Sequence, residues 1–255
     1  MWLVLTEPFD PSGAWLSAEL ASRSGEEVQH LTSSDIAAAS QADRGVDDEG
    51  VWFRVVTSHG RVVDSRKLKG VVNRVCSSPS VIAQAVGRNQ VGVPRSLGAP
   101  LMRWLHRWPG PVLNRPNVDG LSGDFRPTFW WLDHAIKAGF SAPRPAPEGE
   151  ERPAPHANTV SILLAVVGED IHALDSPSRI IAMSLRSRCR RLAQAAGASI
   201  LGIEAAPTPT GEWTFLGASL RPDLVRGGDA VVRSVSRALG LEHEPNRSIQ
   251  ADQLL

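Results

Sequence analysis

Residues 2–6 form an unbroken apolar run that stops at Glu7-Pro8, and the next apolar positions, Trp15, Leu16, Ala18, Leu20 and Ala21, recur at helical spacing before Gly25. A short continuous apolar run suits a buried strand, and a 3.6-residue period suits one face of a helix. Residues 27–32 supply the next strand, and Ser34-Asp35 is placed to cap a short Ala-rich helix. The N-terminal stretch thus predicts a β-α-β-α unit of the kind that builds a parallel sheet. The acidic stretch 43–50 predicts a loop, 51–58 and 61–64 a hairpin across His59-Gly60, and 68–75 a returning strand. A helix is expected over 98–108, with Leu101, Trp104, Leu105 and Trp108 on one stripe that reads as core. A strand over 111–114 and a helix over 126–138, closed by Gly139, complete the first half.

Residues 143–157 contain five prolines and can continue neither neighbour, so they read as an extended linker. The expected division is a domain over 1–142, the linker over 143–157, a second domain over 158–242 and a frayed polar tail over 243–255. Beyond the linker the pattern predicts strands at 159–167 and 170–174, a helix at 180–196, strands at 199–205 and 212–218, and a helix at 229–239. The fold class is α/β.

Composition narrows the chemistry. The 255 residues carry 27 Lys+Arg against 27 Asp+Glu, so no global field favours nucleic acid or an anionic membrane surface. No basic region precedes the first apolar run, and no run reaches the roughly 20 apolar residues of a spanning helix, so a cytoplasmic protein is expected. Cys76 and Cys189 are too few for a disulfide framework, and both sit among apolar neighbours where a buried thiol is expected. The seven histidines show no metal-ligand spacing, His172 reads as structural, and no Gly-x-Ser-x-Gly elbow occurs, so neither a zinc site nor a hydrolase is indicated. Lys67, Lys69 and Lys137 are the only lysines, which leaves few candidates for lysine chemistry.

An internal echo stands out: Val71-Val72-Asn73-Arg74 and Val112-Leu113-Asn114-Arg115 are apolar strands that each end in Asn-Arg. Ligands of open parallel sheets sit beyond the strands' carboxyl ends, where Asn73, Arg74, Asn114 and Arg115 are candidates for binding a carboxylate or phosphate. The alternative is structural: each Asn turns the chain and each Arg pairs locally. Arg186, Arg188, Arg190 and Arg191 lie on a helix whose inner stripe is Leu185, Cys189, Leu192 and Ala196. They form either a solvated face or a docking surface for an acidic partner, with Arg186, Arg190 and Arg191 as interface candidates. Arg226-Gly227-Gly228-Asp229 opens the last helix, with Asp229 as the expected cap.

The order of Val112-Leu113-Asn114-Arg115-Pro116, a helix ending Ala135-Ile136-Lys137-Ala138-Gly139-Phe140, Val166-Val167-Gly168-Glu169-Asp170-Ile171-His172-Ala173, an Arg-rich helix, Ala198-Ser199-Ile200-Leu201-Gly202-Ile203-Glu204 and Thr210-Gly211-Glu212-Trp213-Thr214-Phe215-Leu216 resembles ATP-grasp ligases of the ribosomal-protein-glutamate-ligase type. The resemblance spans most of the chain. It implies an N-terminal pre-ATP-grasp-like parallel-sheet domain and a reduced ATP-grasp-like C-terminal half, with magnesium ligands on the two late strands. The departures are specific. Where the family's last metal-binding strand reads Phe-Leu-Glu-X-Asn, this chain has Phe215-Leu216-Gly217-Ala218-Ser219, so Gly217 and Ser219 are degenerate metal positions and Glu204 is the one remaining acid. The family's lid, with its phosphate-binding lysines, falls where this chain has the Pro-rich stretch, and Gly120-Leu121-Ser122-Gly123 stands in place of an Asn-Lys pair.

The resulting expectation is a noncatalytic relative that binds a small anion, a peptide or a partner protein within a bacterial peptide- or cofactor-modifying pathway. Two alternatives remain open. One is an atypical ATP- and Mg-dependent carboxylate-amine ligase using Glu204, alone or with Asp223; the other is a structural assembly subunit.

Overall fold

The computed structural model describes residues 1–48, 50–76, 98–117, 120–122, 126–141, 161–176 and 180–241. The linker expected over 143–157, the tail over 243–255 and Gly123 lie outside these. In chain order the N-terminal elements are β1 (Trp2–Thr6), α1 (Pro11–Ser24), β2 (Val28–Thr32), α2 (Ser33–Ala37), β3 (Gln41–Asp47), β4 (Gly50–Val56), β5 (Val62–Asp64), β6 (Gly70–Asn73), α3 (Gly98–Arg107) and β7 (Val112–Leu113). They are followed by α4 (Thr128–Lys137), β8 (Ile162–Val167), β9 (Asp170–Ala173), α5 (Met183–Ala195), β10 (Ile200–Pro207), β11 (Trp213–Ser219) and α6 (Gly228–Leu239).

Three sheets result. A parallel sheet runs β2-β1-β6-β7, an antiparallel sheet β11-β10-β8-β9, and a smaller antiparallel sheet β3-β4-β5. β1 is central and buried at every position, as its continuous apolar run requires. α1 starts four residues before its apolar stripe because Asp10 accepts the Gly13 amide and Pro11 occupies the first turn. α2 is capped by Thr32, reciprocally with Asp35, two residues before the Ser34-Asp35 cap expected.

The loop expected over 43–50 is largely strand. β3 pairs with β4 from Gln41↔Val56 to Asp47↔Gly50, so an edge position in a small sheet tolerates its polar side chains. Gly45 lies against the Trp52 indole, where a Cβ would come within 2.7 Å of the ring. Cys189 is buried as expected, but Cys76 is only half-buried, its Sγ 3.3 Å from Ser122 Oγ at the sheet's polar end.

Alternation along the strands divides the core. Leu164, Val166, Leu201 and Ile203 face α4 and α5, together with Trp131, Phe140, Leu185 and Leu192. Ala165, Val167 and Ile200 point the other way, into a cluster that also contains Trp2, Val4, Leu16, Leu20, Val72 and Leu113 of the first half and Val231 and Val235 of α6. The parallel and antiparallel sheets therefore share one apolar interior. A third cluster joins Phe53, Val55 and Val63 of the small sheet to Trp104, Leu105 and Trp108. Among the described residues no helix is long and apolar enough to cross a membrane.

The shared interior is closed by Asn114, which follows β7 with a positive φ of 56°, a conformation Asn adopts more readily than most residues. The pairing of β10 with β11 ends at Gly202↔Ser219. Two residues further along β10, the Asn114 carboxamide takes the place of a strand: Ile200 N donates to Oδ1 at 2.8 Å and Nδ2 donates to Ile200 O at 2.9 Å. Nδ2 also reaches Leu220 O at 3.4 Å.

Candidate functional site

The carboxyl ends of β1, β6 and β7 open toward the turn that follows β11, and polar side chains collect in that crevice. Asn73 donates to Asn114 O at 2.9 Å and Leu121 O at 2.6 Å, and accepts the Val75 amide. Arg74 is 1% exposed. Its Nε and Nη2 clasp the two Asp10 carboxylate oxygens at 2.6 and 3.1 Å, and Nη2 also donates to Pro222 O at 3.2 Å. Nη1 is buried and has no hydrogen-bond partner among the described residues. Burial pushes the Asp10 carboxyl up, but the Arg74 hydrogen bond and charge, the Gly13 amide and the Arg221 charge together leave it below the ordinary aspartate value.

Around this pair, Glu7 accepts the Cys76 amide and the Ser33 hydroxyl, each at 2.8 Å. Thr6 Oγ1 lies 2.8 Å from His30 Nε2. Ser12 donates to Asp223 at 3.2 Å and accepts the Leu224 amide at 2.7 Å, tying the first turn of α1 to the segment after β11. The echo of Asn-Arg strand ends pointed to this crevice but not to Glu7, Asp10 or Ser12. Asp10-Pro11 carries a local signal, since an acid before a proline is a helix-start signature.

Arg115 leaves the crevice. Its Nη1 donates to Leu105 O, His106 O and Trp108 O, and its Nη2 to Gly110 O, all within 3.0 Å, so it satisfies the last carbonyls of α3 and the turn beyond. The Arg74 and Arg115 guanidiniums are thus engaged on separate elements, while Asn73 and Asn114 are brought together. On α5, Arg186 bonds Ile181 O, Arg190 bonds Glu169 O and Arg191 bonds Ala138 O beyond α4. Arg188 pairs with Glu212 at 3.4 Å. Asp229 makes no side-chain cap on α6 and instead pairs with Arg23 at 2.6 Å.

Glu204 and Gly217 face each other across β10 and β11, and Ser219 follows on the same side of β11. Glu204 Oε1 accepts the Ser161 hydroxyl at 2.8 Å, and Ser219 Oγ accepts the Arg221 amide at 3.1 Å. One carboxylate is therefore what this part of the sheet offers.

No protein-family model matches the sequence, and no curated protein matches it. Solved structures do match. The macrocyclase MdnB of Microcystis aeruginosa MRC superposes with a TM-score of 0.63 at 15% identity, over 94% of this chain and 98% of that one. A RiPP-associated ATP-grasp ligase of Chryseobacterium gregarium, in complex with ADP and a leader and core peptide, gives 0.66 at 11% identity over 94% and 96%. The macrocyclase MdnC, bound with precursor peptide MdnA, gives 0.66 at 12% identity over 94% and 99%. The chain shares the fold of ATP-grasp ligases. That fold implies ATP and Mg²⁺, and the described residues do not fit the metal. A hard cation seeks carboxylate oxygens, whereas Glu204 faces a glycine and a serine, and no group of three His, Cys, Asp or Glu among the described residues could hold an ion.

Proposed function

We propose that this chain is a noncatalytic protein of ATP-grasp fold that binds a peptide, or a partner protein presenting one, within a peptide-modification pathway. The observation that carries the reading is the register of β10 and β11, which sets Glu204 opposite Gly217 and beside Ser219. Phosphoryl transfer depends on positioned charge at the phosphates, and this strand pair supplies a single anion for a metal and no cation. The likeness to ligases solved with precursor peptides supports a peptide as the ligand. The crevice supports an anionic group of that peptide as one contact, because Arg74 Nη1 is a buried donor without a partner among the described residues.

The test is calorimetric titration with ATP, with and without Mg²⁺, followed by titration with the precursor peptide encoded nearest to the chain's own gene. The expected outcome is no heat with nucleotide up to about 1 mM, the weak limit of specific affinity, and saturable binding of the peptide. Tight magnesium-dependent ATP binding would overturn the noncatalytic reading and favour a ligase whose metal shell uses Glu204. Such a ligase would release ADP with a carboxylate and an amine present and lose that activity in Glu204→Gln.

A further inference from the structure

The small sheet ends on β3, whose outer edge meets no other strand among the described residues. The register decides which backbone groups face outward there. Thr57 N donates to Arg61 O on the β5 side, so the alternate residues Trp52, Arg54 and Val56 turn their amides and carbonyls to Gly45, Asp43 and Gln41 of β3. The amides and carbonyls of Ala42, Arg44 and Val46 therefore point out of the sheet, spaced about 7 Å apart along the strand. An extended chain is the backbone conformation that meets alternating donors and acceptors at that spacing.

The side chains of the same three residues stand beside Val55, Phe53 and Val51, on the face of β4 that packs into the core. Ala42 is half-buried there, but Val46 is 72% exposed, and Arg44 is exposed with no partner for its guanidinium among the described residues. A further strand would cover Val46 and bring a side chain opposite a lone cation. The edge is preformed, which lowers the ordering cost of binding: Asp43 pairs with Arg54 at 3.2 Å, and Gly45 lies under the Trp52 ring. A second copy of the chain is a poor occupant. Antiparallel two-fold pairings that match outward groups to outward groups over most of β3 centre on Asp43, Arg44 or Gly45. The first sets Asp43 opposite Asp43 of the second copy, the second Arg44 opposite Arg44 and the third Asp43 opposite Asp47, and like charges directly opposite are destabilising. The charge that hinders self-pairing suits a strand carrying an acid.

We propose that the outer edge of β3 receives an extended peptide in antiparallel pairing, with apolar side chains opposite Ala42 and Val46 and a carboxylate opposite Arg44. The proposal rests on the peptide-binding reading and gives it a contact surface outside the crevice.

The test uses the full-length ¹⁵N-labelled protein and the capped pentapeptide Val-Thr-Glu-Thr-Val, read by the amide shifts and hydrogen exchange of Ala42, Arg44 and Val46. The peptide should move all three resonances and slow their exchange about ten-fold. N-methylation of its glutamate, whose amide faces β3, should weaken binding about ten-fold, whereas N-methylation of both threonines, whose amides face away, should not. Arg44→Glu should weaken it about five-fold, and Val-Thr-Lys-Thr-Val should bind that variant more tightly than the parent protein. Resonances unmoved at about 5 mM peptide, beyond the weak limit of specific affinity, overturn the proposal, as does undiminished binding of the glutamate-methylated peptide. Exchange already slow in the dilute free protein would show the edge covered by the chain itself, and slowing that follows protein concentration alone would show a second copy there; either result overturns the proposal. Shifts confined to the neighbourhood of Arg74 and Asp10 would overturn the edge while leaving the peptide-binding reading intact. Tight Mg-ATP binding would overturn the noncatalytic reading without moving these three amides.

Discussion

Replacing Asn114 with alanine tests the claim that one carboxamide joins the two large sheets. Asn114 is 1% exposed, so its partners have no easy access to water once it is gone. The substitution strands Ile200 N–H and Ile200 C=O, bonded at 2.8 and 2.9 Å; the 3.4 Å contact to Leu220 O is too long to count. A buried unsatisfied group costs about 1–3 kcal/mol, and a left-handed alanine about 1–2 kcal/mol more. The expected loss is about 5 kcal/mol, a large part of the 5–15 kcal/mol that stabilises an ordinary domain. Asn114→Gly separates the two contributions, since glycine at φ 56° avoids the backbone cost and should recover about 1–2 kcal/mol relative to alanine. Asn114→Asp keeps the acceptor for Ile200 N–H but turns a carboxylate toward two carbonyls, and should be no milder than alanine at neutral pH. Urea unfolding followed by tryptophan fluorescence, extrapolated linearly to water, measures all three. A loss below about 2 kcal/mol in Asn114→Ala, the lower end of stranding two groups, would refute the strand-replacement argument. Glycine as damaging as alanine would refute the backbone part alone.

Arg74→Met should cost about 3–5 kcal/mol in the same assay, because it leaves the Asp10 carboxylate 7% exposed and without its cation. Adding Asp10→Asn should restore part of that loss, and no restoration would show that the pair is not coupled. Stability should fall on acidification below about pH 6.5, the ordinary histidine value. Burial holds His30 below that value, with Arg61 adding to the effect against Asp35 and Asp10. Burial does the same to His172, with Arg186, Arg233 and Arg237 adding to it against Asp170. Between each depressed folded value and the ordinary one the unfolded chain binds more protons, so this contribution is present above about pH 6.5 and lost as pH drops toward the folded values. Urea midpoints between pH 7.5 and 5 measure the slope, which His172→Gln should flatten. An unchanged slope in that variant, or stability that rises on acidification, would contradict the assignment.

The strands with continuous apolar runs, β1, β6, β8 and β10, were legible because burial on both faces writes itself into sequence, and α3 and α6 because their stripes are regular. β3 was not, since a polar edge strand has no pattern of its own and takes its conformation from β4. The Asn-Arg echo marked strand ends whose side-chain partners sequence could not supply. Asn114 meets a backbone 86 residues away and Arg74 a carbonyl 148 residues away, while Arg115 turns back on the preceding helix, α3. Local spacing places a side chain at a strand end but not the distant group it finds there. Motif order placed Glu204, Gly217 and Ser219 on adjoining strands, but the pairing of Glu204 with Gly217 depends on a register shift between Glu204 and Ala205 that the sequence does not signal.

The interior shared by the two large sheets also constrains motion. A crevice between loosely joined bodies can widen by rotation about a hinge, at little cost to either body. Here Asn114, the Arg74 contact with Pro222 and the Ser12 contact with Asp223 lie along that boundary, with Val72, Leu113, Ile200 and Val231 packed behind them. Swinging the sheets apart would break those bonds and wet that cluster together, so the crevice is a fixed slot. A ligand entering it selects for shape rather than inducing closure, and its affinity should respond to side-chain substitutions at the rim far more than to changes in the length of the connecting chain.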